Sequence, residues 1–145
     1  MDELPIVQGL TNEQFEKVLS ICKRKTFSKD EAIFSEGTKS DDMYILTEGV
    51  LQVTLWGKEV NRILPISWVG EMGVFAGEPR SATVIAKTEC KLLRITKKKL
   101  FDLFDKDKDL HIQFQLGMLI DLSEKLRLTN EVIAKMRKAK FRKIR

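Results

Sequence analysis

The residues best suited to chemistry lie in one short stretch, residues 69–84 (VGEMGVFAGEPRSATV). Gly70 and Gly73 allow the backbone to approach a ligand closely, and the residues around them can form a helical turn whose free N–H groups point at an anion. Arg80, which follows a proline, offers a planar fork of N–H donors that fits a phosphate, and Ser81 adds a hydroxyl donor. This combination predicts a site for a small anionic ligand.

An acidic residue, Glu71, lies inside the same stretch, and its carboxylate would repel a phosphate. The carboxylate fits a ligand that carries a hydroxyl beside the anionic group, because it then accepts a hydrogen bond. A ribose hydroxyl next to a phosphate satisfies both Glu71 and Arg80, whereas a deoxyribose would leave the acid unpaired at a cost of about 1–3 kcal/mol. The alternative is that Arg80 and Glu71 only pair with each other across a turn.

Short strands on both sides must position this stretch. Runs with β-branched or aromatic content, separated by turn signals, occupy residues 26–27, 32–34, 43–47, 50–56, 60–64, 81–86 and 90–96. Seven or eight short strands at this spacing predict a mainly β, α+β domain built on an antiparallel β-roll or jelly roll. Before them, Thr11 and Gln14 form a capping box that predicts a short N-terminal helix, and residues 98–104 predict another short helix after them.

A long helix is predicted to end the chain. Its heptad positions are Ile112, Gln115, Leu119, Leu122, Leu126, Thr129, Ile133, Met136 and Lys140. These residues recur at alternating steps of three and four, as in a coiled-coil seam, and about 30 helical residues span about 45 Å. We therefore predict a homodimer through this helix. A second stripe on another face holds Leu116 and Ile120, with Phe114 as a further candidate, so the helix can pack on the β-domain and on a partner at once. The predicted division is a β-roll domain with its N-terminal helix at residues 1–109, and a dimer helix at residues 110–145.

Composition narrows the class of protein. The chain has 145 residues, 43% of them hydrophobic and 32% charged, which fits one globular domain. It has no apolar run near the ~18 residues that span a membrane, and its acidic start lacks the features of a signal peptide, so a cytoplasmic protein is expected. Cys22 and Cys90 are isolated and His111 has no partner in the sequence, so neither a metal site nor catalysis is predicted.

The positive charge is concentrated at the C-terminal end. The net charge is +5, yet residues 131–145 carry seven Lys or Arg and one Glu, so the rest of the chain is nearly neutral. Three interpretations stay open for this basic segment: a solvated helix end whose cations favour the helix dipole, a contact for an acidic protein, or a contact for nucleic acid or anionic lipid.

The order of these elements resembles the cyclic nucleotide-binding domain family, and within it the bacterial catabolite activator and FNR-like regulators. The resemblance is most specific at residues 70–72 (GEM) and 79–83 (PRSAT), which match the phosphate-binding segment of the family with the expected spacing. A second match runs from Glu36 to residue 53. Ser40 stands where the family often has glycine, a departure that we expect to affect a turn and not the ligand.

The resemblance implies a role for each matching residue. Arg80 would pair with the cyclic phosphate, with donors from Ser81 and Ala82, and Glu71 would accept from the ribose 2′-hydroxyl. Backbone groups that line the pocket would come from Gly70, Met72 and Gly73. On the long helix, Thr129 would contact the base bound to its own subunit, and Asn130 would contact the base bound to the other subunit of the dimer. Thr129 has an alternative role as a buried polar residue that sets the helix register.

The resemblance also implies a function. We expect a receptor for a cyclic nucleotide, cyclic AMP more than cyclic GMP or a cyclic dinucleotide, without a cofactor, a metal or catalysis. Ligand would move the helix at residues 98–104, reset the long helix through Thr129, and so signal to an unidentified downstream protein. Sequence-specific DNA binding is not expected, because no helix-turn-helix follows the long helix. The alternative is a dimeric adaptor of the same fold that binds no nucleotide.

Overall fold

Eight strands and four helices make up the described part of the chain. The computed structural model describes the backbone of residues 9–144 and the side chains of residues 9–140; the acidic start and the last five side chains of the basic segment lie outside these residues. In chain order the elements are α1 (Asn12–Ser20), β1 (Lys23–Phe27), β2 (Ala32–Phe34), β3 (Asp42–Glu48), β4 (Leu51–Leu55), β5 (Lys58–Ile63), β6 (Ser67–Val69), α2 (Glu71–Ala76), β7 (Thr83–Ala86), β8 (Cys90–Thr96), α3 (Lys97–Lys106) and α4 (Lys108–Ile144).

The strands form two four-stranded antiparallel sheets, in the orders β1-β8-β3-β6 and β2-β7-β4-β5. This arrangement confirms the predicted β-roll. The capping box is also confirmed, since the Thr11 side chain accepts from the Gln14 N–H and the Gln14 side chain accepts from the Thr11 N–H. Strand β6, which has only three residues, was not predicted. Strand β1 begins three residues earlier than predicted, because pairing with β8 holds the polar Lys23 in the strand.

Two hydrophobic cores share the β1-β8-β3-β6 sheet, because successive side chains of a strand point to opposite faces. On β3, Tyr44 and Leu46 lie between the two sheets, in a core with Leu51 and Val84 of the facing sheet. Met43 and Ile45 of the same strand point the other way. They pack under the helices, in a core that includes Val18, Val74, Ile95, Leu100, Phe104, Leu110, Phe114 and Met118.

The start of α4 belongs to the second core. Phe114 is fully buried, and its ring lies 5.3 Å from that of Phe104 and 5.6 Å from that of Trp68. Of the second stripe, Phe114 packs on the roll, whereas Leu116 and Ile120 are about half exposed. The three residues therefore do not form one buried face. The helix α4 begins at Lys108, two residues before the predicted domain boundary between residues 109 and 110. The boundary itself stays a prediction.

From residue 123 to residue 140, the side chains of α4 are exposed. The 37 residues of the helix span about 55 Å at 1.5 Å per residue. Among the described residues, no helix is long and apolar enough to cross a membrane, and no group of three or more His, Cys, Asp or Glu could hold a metal ion. Cys22 and Cys90 are free thiols.

Candidate functional site

The stretch predicted to bind an anion includes a tight turn at Gly70, between β6 and α2. Gly70 has φ of 78°, a conformation that glycine adopts without strain. A Cβ atom at this position would lie 2.5 Å from Arg80 Nη1 and 3.0 Å from the Phe34 ring. A Cβ atom at Gly73 would lie 2.1 Å from Ser40 Oγ. Both glycines are therefore required by the close approach of the neighbouring side chains.

A cavity of about 440 Å³ opens beside this turn, within the range of small-molecule sites. All of the residues predicted for the phosphate, the ribose and the pocket backbone line it. These are Gly70, Glu71, Met72, Gly73, Arg80, Ser81 and Ala82. Apolar side chains of both sheets, including Val53, Ile63 and Val84, line the remainder. The cavity thus combines a polar end at α2 with an apolar end between the strands.

Arg80 is the most buried charged group of the cavity, with a side chain that is 3% exposed. Its Nη1 donates to Gly70 O at 3.0 Å, its Nη2 donates to Asp42 O and Asp42 Oδ1 at 2.6 Å each, and its Cζ lies 4.0 Å from the centre of the Phe34 ring. Burial lowers the pKa of Arg80, and the Asp42 carboxylate counters that effect. The Nε donor is buried without a hydrogen-bond partner among the described residues.

The Asp42 carboxylate is shared between two arginines. Its Oδ1 accepts from Arg80, and its Oδ2 accepts from Arg94 Nε at 2.6 Å and from the Tyr44 hydroxyl at 3.3 Å. The bond to Asp42 raises the pKa of Arg94, whereas burial, followed by the charge of Asp42, raises the pKa of Tyr44. Arg94 is one-third exposed, so this chain of contacts connects the cavity with the surface of the sheet.

Glu71, also buried, contacts the long helix. Lys125 Nζ donates to Glu71 Oε1 at 3.1 Å and lies 3.0 Å from Asp121 Oδ2, one turn earlier in α4. Burial opposes the charge of Lys125, but Glu71 and Asp121 outweigh it, so the pKa of Lys125 is raised. Lys125 lines the cavity and brings α4 to its rim.

The alternative in which Arg80 and Glu71 merely pair with each other is wrong. Arg80 pairs with Asp42 and Glu71 pairs with Lys125. The two predicted ligand-binding groups therefore face one cavity while each is balanced by a different residue from another part of the chain.

Ser40 differs from the expectation for a simple turn residue. Its side chain is buried, it lines the cavity, and its hydroxyl donates to Glu78 O at 2.7 Å. This bond fixes the end of the α2 turn against the segment before β3. Ser40 therefore lies beside the candidate ligand site. We predicted that a serine in place of glycine here would not affect the ligand, and this stays a prediction.

Thr129 and Asn130 do not line the cavity of this chain. Both are exposed on α4, and the Thr129 hydroxyl donates to Lys125 O, four residues earlier, at 2.9 Å. Thr129 thus lies one helical turn beyond the residue that reaches Glu71. The predicted contacts of Thr129 and Asn130 with a base stay predictions.

Asp42 and Lys125 were not predicted from the sequence as partners of Arg80 and Glu71. Asp42 follows a second aspartate just before a strand, and Lys125 lies one turn before Thr129 on the predicted helix. Only the position of Lys125 contained a weak signal, namely a charge one helical turn from Thr129, which is predicted to face the ligand. The partners of Asp42 and Lys125, however, are 38 and 54 residues away in the chain.

Comparison with known proteins agrees with this geometry. The profile of the cyclic nucleotide-binding domain family matches residues 24–107, which is more than half of the chain. A cGMP-dependent protein kinase of Plasmodium berghei (strain Anka) is 31% identical over 100 residues, which are 69% of this chain and 12% of the kinase.

Bacterial regulators and a solved domain are also similar. The cAMP-activated global transcriptional regulator CRP of Escherichia coli O6:H1 is 25% identical over 132 residues, or 87% of this chain and 61% of the regulator. The chain thus spans less than two thirds of either curated relative. The crystal structure of a cyclic nucleotide-binding domain from Methylobacillus flagellatus KT, 20% identical, has a TM-score of 0.82 and covers 90% of this chain and 80% of that one. The chain belongs to the cyclic nucleotide-binding domain family.

Proposed function

We propose that this domain is a receptor for a cyclic mononucleotide, with cyclic AMP favoured over cyclic GMP. The observation that supports it most directly is that Arg80 and Glu71 line the same cavity. Arg80 has a buried donor without a partner among the described residues, and Glu71 is a buried acceptor. Arg80 would bind the phosphate, with Ser81 and Ala82 adding donors. Glu71 would accept from the ribose 2′-hydroxyl, while Gly70, Met72 and Gly73 line the site.

Calorimetric titration of the wild-type protein with cyclic AMP and with cyclic GMP tests this proposal. We expect saturable binding of at least one of them, tighter for cyclic AMP, with one ligand per chain. Absence of binding with both would favour the adaptor function, because an adaptor of this fold needs no ligand. A titration with a cyclic dinucleotide distinguishes the third ligand class, which offers Glu71 a less suitable hydroxyl.

The proposed role is regulatory, without catalysis by the domain itself. Incubation with cyclic AMP followed by chromatography is expected to return only the intact cyclic nucleotide. The names of two relatives support a regulatory role, since one is a cGMP-dependent protein kinase and the other is a cAMP-activated transcriptional regulator. A location in the cytoplasm stays a prediction from the sequence.

A homodimer through α4 is part of the same proposal. The heptad residues Ile112, Leu119, Leu126 and Ile133 are all at least 45% exposed, although they are large and apolar. A second copy of α4 would bury them in a parallel coiled coil and would bring Thr129 and Asn130 towards the bases. Because Lys125 contacts Glu71 from the same helix, ligand binding at Glu71 would change the position of α4 and so reach a downstream partner.

The substitution Leu126→Lys tests the dimer. We expect wild-type protein to sediment as a dimer and Leu126→Lys as a monomer, because a charge in the seam must be desolvated in every dimer. Ile120→Lys is the matched control, since Ile120 is equally exposed but lies outside the seam. A wild-type protein that stays monomeric at all concentrations, or a control that dissociates as readily, would contradict the seam.

A further inference from the structure

The guanidinium of Arg80 has five N–H donors, and the structure assigns three of them to protein acceptors. Nη2 donates to two acceptors of Asp42, its backbone oxygen and Oδ1, and Nη1 donates to Gly70 O. Assigning one hydrogen to each acceptor uses both hydrogens of Nη2 and one of Nη1. The Nε hydrogen and the second Nη1 hydrogen remain. Asp42 therefore holds Nη2, whereas Nε has no hydrogen-bond partner among the described residues.

This assignment limits how a phosphate can bind. A two-point contact to a guanidinium uses either the Nε and Nη2 hydrogens on one edge or the Nη1 and Nη2 hydrogens on the other. Each edge includes a hydrogen of Nη2, and Asp42 uses both. A phosphate that binds Arg80 at two points must therefore replace one of the Asp42 acceptors.

The side-chain acceptor is the one that can leave. Asp42 O belongs to the backbone of β3, which is paired with β8, whereas Oδ1 moves by rotation of the side chain. Rotation leaves the carboxylate with two partners, Arg94 Nε and the Tyr44 hydroxyl, both of which contact Oδ2. Arg94 keeps the negative charge compensated after the bond to Arg80 is broken.

We propose that Asp42 is an exchangeable counter-ion of Arg80, which the phosphate of the ligand displaces, and that Arg94 retains the displaced carboxylate and so sets the affinity of the site. This inference rests on the proposed function. It makes Asp42 and Arg94 residues that tune ligand affinity although neither lines the cavity.

The test is a double-mutant cycle with cyclic AMP as the probe, measured by calorimetry. We expect Asp42→Asn to bind about 5–10 times more tightly than wild type, because a neutral amide competes less strongly for Nη2 than a carboxylate does. Arg94→Gln is expected to bind about fivefold more weakly, because Asp42 then keeps Arg80 as its main partner. The double variant is expected to match Asp42→Asn, since Arg94 acts through Asp42.

Arg62→Gln is the matched control. Arg62 also donates through Nε to a carboxylate, that of Glu59, but neither residue lines the cavity. Its affinity for cyclic AMP is expected to equal that of wild type. A similar loss in Arg62→Gln and Arg94→Gln would overturn the inference, because the effect would then be one of overall charge.

Thermal unfolding measures the same difference in affinity by a second method, because the stabilisation by a ligand increases as its dissociation constant falls. Without its counter-ion, buried Arg80 destabilises the free domain, and a bound phosphate restores the compensation. Saturating cyclic AMP is therefore expected to raise the Tm of Asp42→Asn by more than it raises the Tm of wild type. An equal increase would indicate that Asp42 has only a structural role.

The outcomes separate this inference from the proposed function. If wild type binds neither cyclic AMP nor cyclic GMP, the proposed function fails, and this inference fails with it. If wild type binds but Asp42→Asn binds equally or more weakly, only the exchange is wrong. If Asp42→Asn does not fold, Arg94→Gln still decides, because unchanged affinity in that variant would overturn the role of Arg94.

Discussion

Replacing Arg80 by lysine is expected to weaken the binding of cyclic AMP about 100-fold. Lysine keeps the positive charge that Asp42 requires but loses the planar fork, so the phosphate loses a two-point contact made of charged hydrogen bonds, each worth about 1.5–3 kcal/mol. Arg80 is 5% exposed, and its surroundings leave little water to substitute for the lost donors. Calorimetry with cyclic AMP measures the effect.

Two controls make the Arg80 result specific. Thermal unfolding of the free Arg80→Lys protein shows whether the fold is retained, which the continued ion pair with Asp42 favours. Arg62→Lys makes the same substitution at an exposed arginine outside the cavity and is expected to leave the affinity for cyclic AMP unchanged. If a folded Arg80→Lys protein bound cyclic AMP within about threefold of wild type, Arg80 would not be the phosphate anchor.

The substitution Glu71→Gln is expected to abolish discrimination between cyclic AMP and 2′-deoxy cyclic AMP. In wild type, the buried carboxylate accepts from the 2′-hydroxyl, a bond worth about 1.5–3 kcal/mol, so the deoxy ligand should bind roughly 10–100 times more weakly. In Glu71→Gln the charged acceptor is gone, and we expect the ratio of the two dissociation constants to fall to roughly 1–3. Calorimetric titrations of both proteins with both ligands provide this ratio.

Glu78→Gln is the matched control for Glu71. Glu78 also lines the cavity and loses the same charge, but its side chain is exposed. Its discrimination against the deoxy ligand should equal that of wild type. A Glu71→Gln protein that still discriminated by tenfold or more would show that another group recognises the 2′-hydroxyl.

The local elements of the fold were predictable because neighbours in the chain produce them. The Thr11 capping box needs only residues three apart, and strand β8 coincides with the predicted run at residues 90–96. The turn at Gly70 and the short helix after it depend on glycine conformation and on consecutive backbone groups. Hydrophobic periods of two and of 3.6 residues likewise depend on the nearest neighbours.

The exceptions arise where packing outweighs local preference. Strand β6 is too short to have a period of its own and exists because it pairs with β3. The second stripe of α4 is not buried as one face, because Phe114 packs on Trp68 of β6 and Phe104 of α3, whereas Leu116 and Ile120 are about half exposed. Such outcomes depend on how elements cross in space, which hydrophobic periodicity does not specify.

The fold class and the residues that line one side of the cavity were predictable from the sequence alone, since residues 69–84 carry Glu71 and Arg80 within ten positions of each other. The residues that pair with these two charges, by contrast, depend on the tertiary structure. Asp42 reaches Arg80 from 38 residues away, and Lys125 reaches Glu71 from 54 residues away. The physical reason is that an ion pair between distant segments requires the strand register and the path of α4 to bring both groups together, and neither is encoded in a local pattern.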